Sequence, residues 1–86
     1  MKIRNGFIKS EVMGQTVVVA TKQATTDFNM LKLNETAAFI WDAVAAGKDE
    51  QTIAQELANK YETTLYQAMD DTLSFINQLK ELKIIE

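Results

Sequence analysis

Near Asn34 the hydrophobic pattern of this chain changes period, and that change restricts the fold more than any other feature. Before it, apolar residues come in short runs rich in β-branched side chains and broken by turn residues. After it, they recur at helical spacing almost to the end. Strands first and helices afterwards make an α+β fold. Phe7, Ile8, Val12 and Met13 lead to Gly14-Gln15, and residues 16–21 read Thr-Val-Val-Val-Ala-Thr, so a hairpin closing at Gly14 is predicted. Glycine supplies the positive φ of such a turn. Past the polar stretch Lys22 to Asp27, the segment Phe28 to Leu33 is a third short strand, and a three-stranded antiparallel sheet results.

Asn34 ends that strand and can cap a helix over Glu35 to Ala46 by accepting from the amide of Thr36 or Ala37. Apolar residues cover most of this helix, leaving Glu35 and Asp42 on a narrow polar side, so it is expected to be central and buried. Gly47 stops it, and Asp49 caps a second helix with the stripe Ile53, Ala54, Leu57, Ala58 and Tyr61. A third helix runs from about Leu65, capped by Thr64, to about Leu82, and the tail Ile84-Ile85 is expected to close onto the sheet. In this last helix Leu65, Met69, Thr72, Ile76 and Leu79 form one stripe. Tyr66 and Leu73 widen it on one flank, and Ala68, Phe75 and Leu82 on the other, to about 200° of arc where one packing contact needs about half of that. The surplus is either core, in a small domain wrapped from both sides, or the wall of a partner groove.

With 86 residues, 47% of them hydrophobic, and no proline, the chain has the proportions of one globular domain spanning 1–86. It has neither cysteine nor histidine, which removes thiol chemistry, the commonest general base and the usual zinc ligands. Asp70 and Asp71 are neighbours on a helix and point about 100° apart, so they do not form a paired acid and base. The three glycines are isolated and build no phosphate loop. Trp41 and Tyr61 read as core aromatics. No catalytic constellation and no cofactor motif emerges, and a non-enzymatic protein is expected. No apolar run approaches the length of a membrane span, and the basic start lacks the apolar stretch of a signal peptide, so a cytoplasmic location is expected.

Hairpin, strand and three helices in this order describe a winged helix-turn-helix layout, which usually suggests DNA. The charges object. Residues 1–33 hold five cations against two acids, whereas residues 34–86 hold four against ten, with Glu50, Glu56, Glu62, Asp70, Asp71 and Glu81 on the helices that would meet phosphates. An alternative use of the layout is to offer a sheet edge beside a helix, to which an extended peptide adds as a strand.

The stretch Leu33-Asn34-Glu35-Thr36-Ala37-Ala38-Phe39-Ile40-Trp41, followed by Gly47, Ile53-Ala54, Leu57, Tyr61 and the closing Ile84-Ile85-Glu86, resembles the coenzyme PQQ synthesis protein D family. Gly6-Phe7 and Val17 to Ala20 look like that family's N-terminal hairpin, so the similarity covers almost the entire chain. Where family members commonly carry glycine before the closing apolar pair this chain has Lys83, and where many have proline at the start of the last helix it has Leu65.

The resemblance implies a stand-alone recognition element that holds the leader segment of a ribosomally made precursor peptide as an added strand between the third strand and third helix. It also implies presentation to a modifying enzyme, which in the PQQ pathway is a radical iron-sulfur enzyme. The expected peptide-binding residues are Phe28, Asn29, Met30, Leu31, Lys32 and Leu33 on the strand, with Tyr66, Met69 and Leu73, or the opposite flank, on the helix. No nucleic acid, membrane or metal partner is expected. A homodimer through the same edge or apolar flank is compatible with this reading, and the rival reading is an acidic winged-helix interaction or regulatory module.

Overall fold

The structure is a computed structural model and describes residues 1–22 and 30–86. Three strands, β1 (Phe7–Val12), β2 (Gln15–Ala20) and β3 (Met30–Leu33), form an antiparallel sheet in the order β1-β2-β3. Three helices follow, α1 (Glu35–Ala45), α2 (Glu50–Tyr61) and α3 (Leu65–Glu81). This is the α+β architecture that the change of period predicts. Of the expected third strand, Phe28 and Asn29 lie outside the described residues.

The β1–β2 hairpin closes through Met13-Gly14, with φ of 53° and 79°. Positive φ at both central residues is the turn geometry whose twist matches the flanking strands, and Gly14 adopts it without a Cβ penalty. Register then sorts the side chains. Phe7, Val18, Leu31 and Leu33 fall on the helix-facing side and join the core, whereas Ile8, Val19 and Met30 pair in a row on the outer face. Lys9 also lies on the inner side, and its ammonium meets Asp42 of α1 at 2.7 Å.

Each helix begins where a side chain can accept an otherwise unpaired amide. Asn34 accepts from Ala37 (2.8 Å), Asp49 from Thr52 (2.8 Å) and Thr64 from Gln67 (3.0 Å). Ile40, Trp41, Ala43 and Val44 are buried, and α1 packs on α2, α3 and β3, so it is the central helix. Phe39 meets Tyr61 of α2 edge to face, at 6.0 Å between ring centroids. Gly47, at φ 84°, donates to Val44 while Lys48 donates to Ala43, the paired bonds of a left-handed helix stop. Lys83 occupies the same position after α3 with φ 60°, donating to Lys80 while Ile84 donates to Leu79.

Two expectations change. The tail does not join the three-stranded sheet; Ile85 bridges Ile3, Arg4 donates to Ile84 (2.8 Å) and Glu86 donates to Lys2 (3.1 Å). The turn at Lys83 sends the tail across the N-terminal segment, where the two terminal backbones satisfy each other while Ile84 and Ile85 are buried. The buried stripe of α3 is Ala68, Thr72, Phe75, Ile76 and Leu79, and Leu65 is exposed. The helix is thus rotated toward its Ala68–Phe75 flank, whose side chains join the buried core while Leu65 stays half exposed. Among the described residues no helix is long and apolar enough to cross a membrane.

Candidate functional site at the β3 edge

The two-residue hairpin loop sets the hydrogen-bonding phase of the whole sheet. Val12 and Gln15 close the loop, so they form a hydrogen-bonded pair, and alternation makes Ser10–Val17 and Ile8–Val19 the next ones. The Thr21 amide donating to Gly6 at 2.7 Å continues that phase. Thr16 and Val18 therefore turn their main-chain groups to β3, where they face Leu33 and Leu31. Met30 and Lys32 are left with N–H and C=O directed away from β2, along the outer edge of the sheet.

Beside this edge lies a cleft of about 420 Å³. Lys32 and Asn34 line it from the strand end, Thr36, Ala37 and Ile40 from α1, and Asp71, Ser74, Phe75 and Gln78 from α3. It exists because α1 packs against both β3 and α3 and stands between them, while its first turn carries small side chains at Thr36 and Ala37. Ile40 and Phe75 are nearly buried and give the cleft an apolar floor. The rim is polar, and Asp71 is steadied by a 2.9 Å bond from the Gln67 amide nitrogen. A second depression of about 530 Å³ continues past Lys32 and Asn34 to the Met13-Gly14 turn, lined by Gly14, Gln15, Thr16 and Ala38.

An open edge, an apolar floor and a mixed polar rim can hold an extended chain by its backbone and select among side chains. Shifted titrations lie elsewhere. Asp49 is held below the usual carboxylate range by the Thr52 backbone amide and then its hydroxyl, and Tyr61 is pushed up by burial and then by Glu35. Among the described residues no cluster of three Asp or Glu side chains could hold a metal ion.

The sequence-predicted residues fall on different surfaces. Lys32 lines the cleft, and Met30 is half exposed at the edge. Leu31 and Leu33 point into the core. Tyr66 is 85% exposed and Leu73 42%, and neither lines the cleft; Met69 packs against the core. The α3 wall of the cleft is the opposite flank, through Phe75 with Asp71, Ser74 and Gln78. Those three polar positions share Phe75's side of the helix, a mixed signal that a search for apolar arcs passes over. Asn34, Thr36 and Ala37, within the block that reads as fold-defining core, also reach the cleft.

Two solved structures have this fold. One is TbiB1 in complex with the TbiA(beta) leader peptide, with a TM-score of 0.80 at 19% identity, covering 100% of this chain and 95% of that one. The other is a lasso peptide synthetase B1 complexed with the leader peptide, with a TM-score of 0.77 at 24% identity, covering 93% and 89%. No curated protein matches the chain. Residues 16–85, from β2 to the bridged tail, match the family model of coenzyme PQQ synthesis protein D. That match takes in the third strand, all three helices and both walls of the cleft, and the chain belongs to the coenzyme PQQ synthesis protein D (PqqD) family.

Proposed function

We propose that this chain is a non-catalytic adaptor that binds the leader segment of a ribosomally made precursor peptide as an added strand on β3 and presents it to a modifying enzyme. The observation that carries the reading is the edge of β3, which pairs with no further strand among the described residues, with the main-chain groups of Met30 and Lys32 directed outward beside the cleft against α3. Backbone bonding supplies affinity without regard to sequence, and the floor at Ile40 and Phe75 selects an apolar side chain. Family membership and the two leader-bound structures of the same fold support this reading. The modifying enzyme belongs to PQQ synthesis or to a related peptide-modification pathway, and in the PQQ case it is a radical iron-sulfur enzyme. The acids along α2 and α3 weigh against the DNA-binding use of the layout.

The test is an amide-shift NMR titration of the labelled protein with synthetic leader segments from short peptides encoded beside its own gene. Saturable shifts at Met30 to Leu33 and at Asp71 to Gln78 are expected. If every candidate leaves those amides unmoved while the spectrum stays that of a folded protein, the adaptor reading falls.

A further inference from the structure

Among the described residues the sheet has a second edge to which no strand is paired, at β1. Five of its six residues are exposed, including Ile8 at 57% and Val12 at 44%. The phase that directs Met30 and Lys32 outward on β3 does the same for Lys9 and Glu11 on β1, since Ile8, Ser10 and Val12 spend their main-chain groups on β2. An open edge of this length is a template for another strand unless charge, proline or a bulge blunts it. Here the only charges on the strand are Lys9 and Glu11, of opposite sign and two residues apart.

That spacing is self-complementary. If two β1 strands pair antiparallel about Ser10, each Lys9 stands opposite Glu11 of the partner subunit. These are also the positions with outward main-chain groups, so the two pairs exchange about four backbone bonds. The neighbouring registers that keep outward groups face to face put Lys9 against its own copy, or Glu11 against its own copy, and like charges directly opposite oppose pairing. Charge therefore selects one register. Lys9 and Glu11 share the helix-facing side, where Asp42 already holds the Lys9 ammonium at 2.7 Å. On the outer face the same register sets Ile8 against Val12 of the partner subunit and covers part of their exposed apolar surface.

We infer that a second copy of this chain docks on the β1 edge, Lys9 against Glu11 in both directions, to give a two-fold symmetric dimer with one six-stranded sheet. The strand order across it is β3-β2-β1-β1-β2-β3. Both β3 edges are outermost and open, so the dimer carries two clefts and does not compete with a strand added at β3. Its occupant is chosen by charge and register at β1, independently of the peptide reading.

Sedimentation equilibrium of the full chain from micromolar to millimolar concentration tests this. The mass is expected to rise from one chain toward two. Glu11→Lys sets lysine opposite lysine twice and should lower the association constant roughly tenfold or more. The exchange Lys9→Glu with Glu11→Lys, made in an Asp42→Asn background so that residue 9 meets no like charge on α1, restores opposite charges and should recover much of that loss. Glu11→Pro removes an outward N–H without touching the β2 ladder and should abolish the dimer. Circular dichroism shows that each variant is folded, and Glu11→Lys should keep its response in the peptide titration. A wild-type mass of one chain at every concentration overturns the inference. So does a dimer that survives both Glu11→Lys and Glu11→Pro, and failure of the double exchange to recover any association overturns the register.

Discussion

Lys32, on the free edge of β3, and Phe75, on α3, line the same cleft although they belong to opposite ends of the chain's pattern, one in the strand region and one in the last helix. What joins them is α1, which packs against both elements and sets Ile40 between them. The cleft is thus the space that α1 keeps open between the β3 edge and α3. Its functional weight rests on backbone groups at the edge and on side chains at the wall, and these can be tested separately.

At the edge, the Lys32 N–H points away from β2, so proline there removes a donor that only an added strand uses. Lys32→Pro should weaken leader-peptide binding about tenfold, the loss expected of one backbone bond in a desolvated groove. The unfolding midpoint should move little. Isothermal titration calorimetry with undiminished affinity would show that the peptide is not held on this edge.

At the wall, Ser74 lines the cleft and its neighbour Leu73 lies about 100° around the helix, 42% exposed. Ser74→Arg should fill the cleft and weaken binding at least about tenfold, and Leu73→Asp should leave affinity unchanged. Both are surface changes, with stability effects within about 0.5 kcal/mol. The reverse pattern, seen by fluorescence anisotropy of a labelled leader, would move the peptide to the Tyr66–Leu73 flank.

Lys83 sits at φ 60°, where a Cβ meets the backbone carbonyl and glycine does not. Lysine at this angle is a cost to this chain's helix stop. Lys83→Gly should raise stability by about 0.5–1 kcal/mol, the left-handed penalty less the added unfolded-state entropy. Urea denaturation checks it, and a variant less stable than wild type would mean that the lysine makes a compensating contact.

Asp49 releases its proton more readily in the folded chain, because the Thr52 amide and hydroxyl donate to its carboxylate. The unfolded chain therefore binds more protons across that interval, and this group's contribution rises with pH. It is complete above the unfolded pKa and is lost as pH falls through the folded one. Asp49→Asn keeps a capping acceptor but cannot titrate, so the acid limb of stability against pH should become shallower. An unaltered acid limb would assign that limb to other carboxylates.

The order of elements, the hairpin at Gly14, the caps at Asn34, Asp49 and Thr64 and the stop at Gly47 were all legible in the sequence. Each depends on interactions within about four residues, where side-chain chemistry and backbone geometry decide together. The rotation of α3 was not legible, because its apolar arc is wider than one contact needs and periodicity is blind to which part meets α2. Nor was the partner of Ile85, since pairing two chain ends depends on where the Lys83 turn points the tail. The cleft at β3 belongs to this second class. Its strand could be read from the chain, but its α3 wall is a choice among long-range packings of nearly equal local propensity. Burial of Ala68, Phe75, Ile76 and Leu79 makes that choice, and it turns Ser74 and Gln78, not Tyr66 and Leu73, toward the open edge.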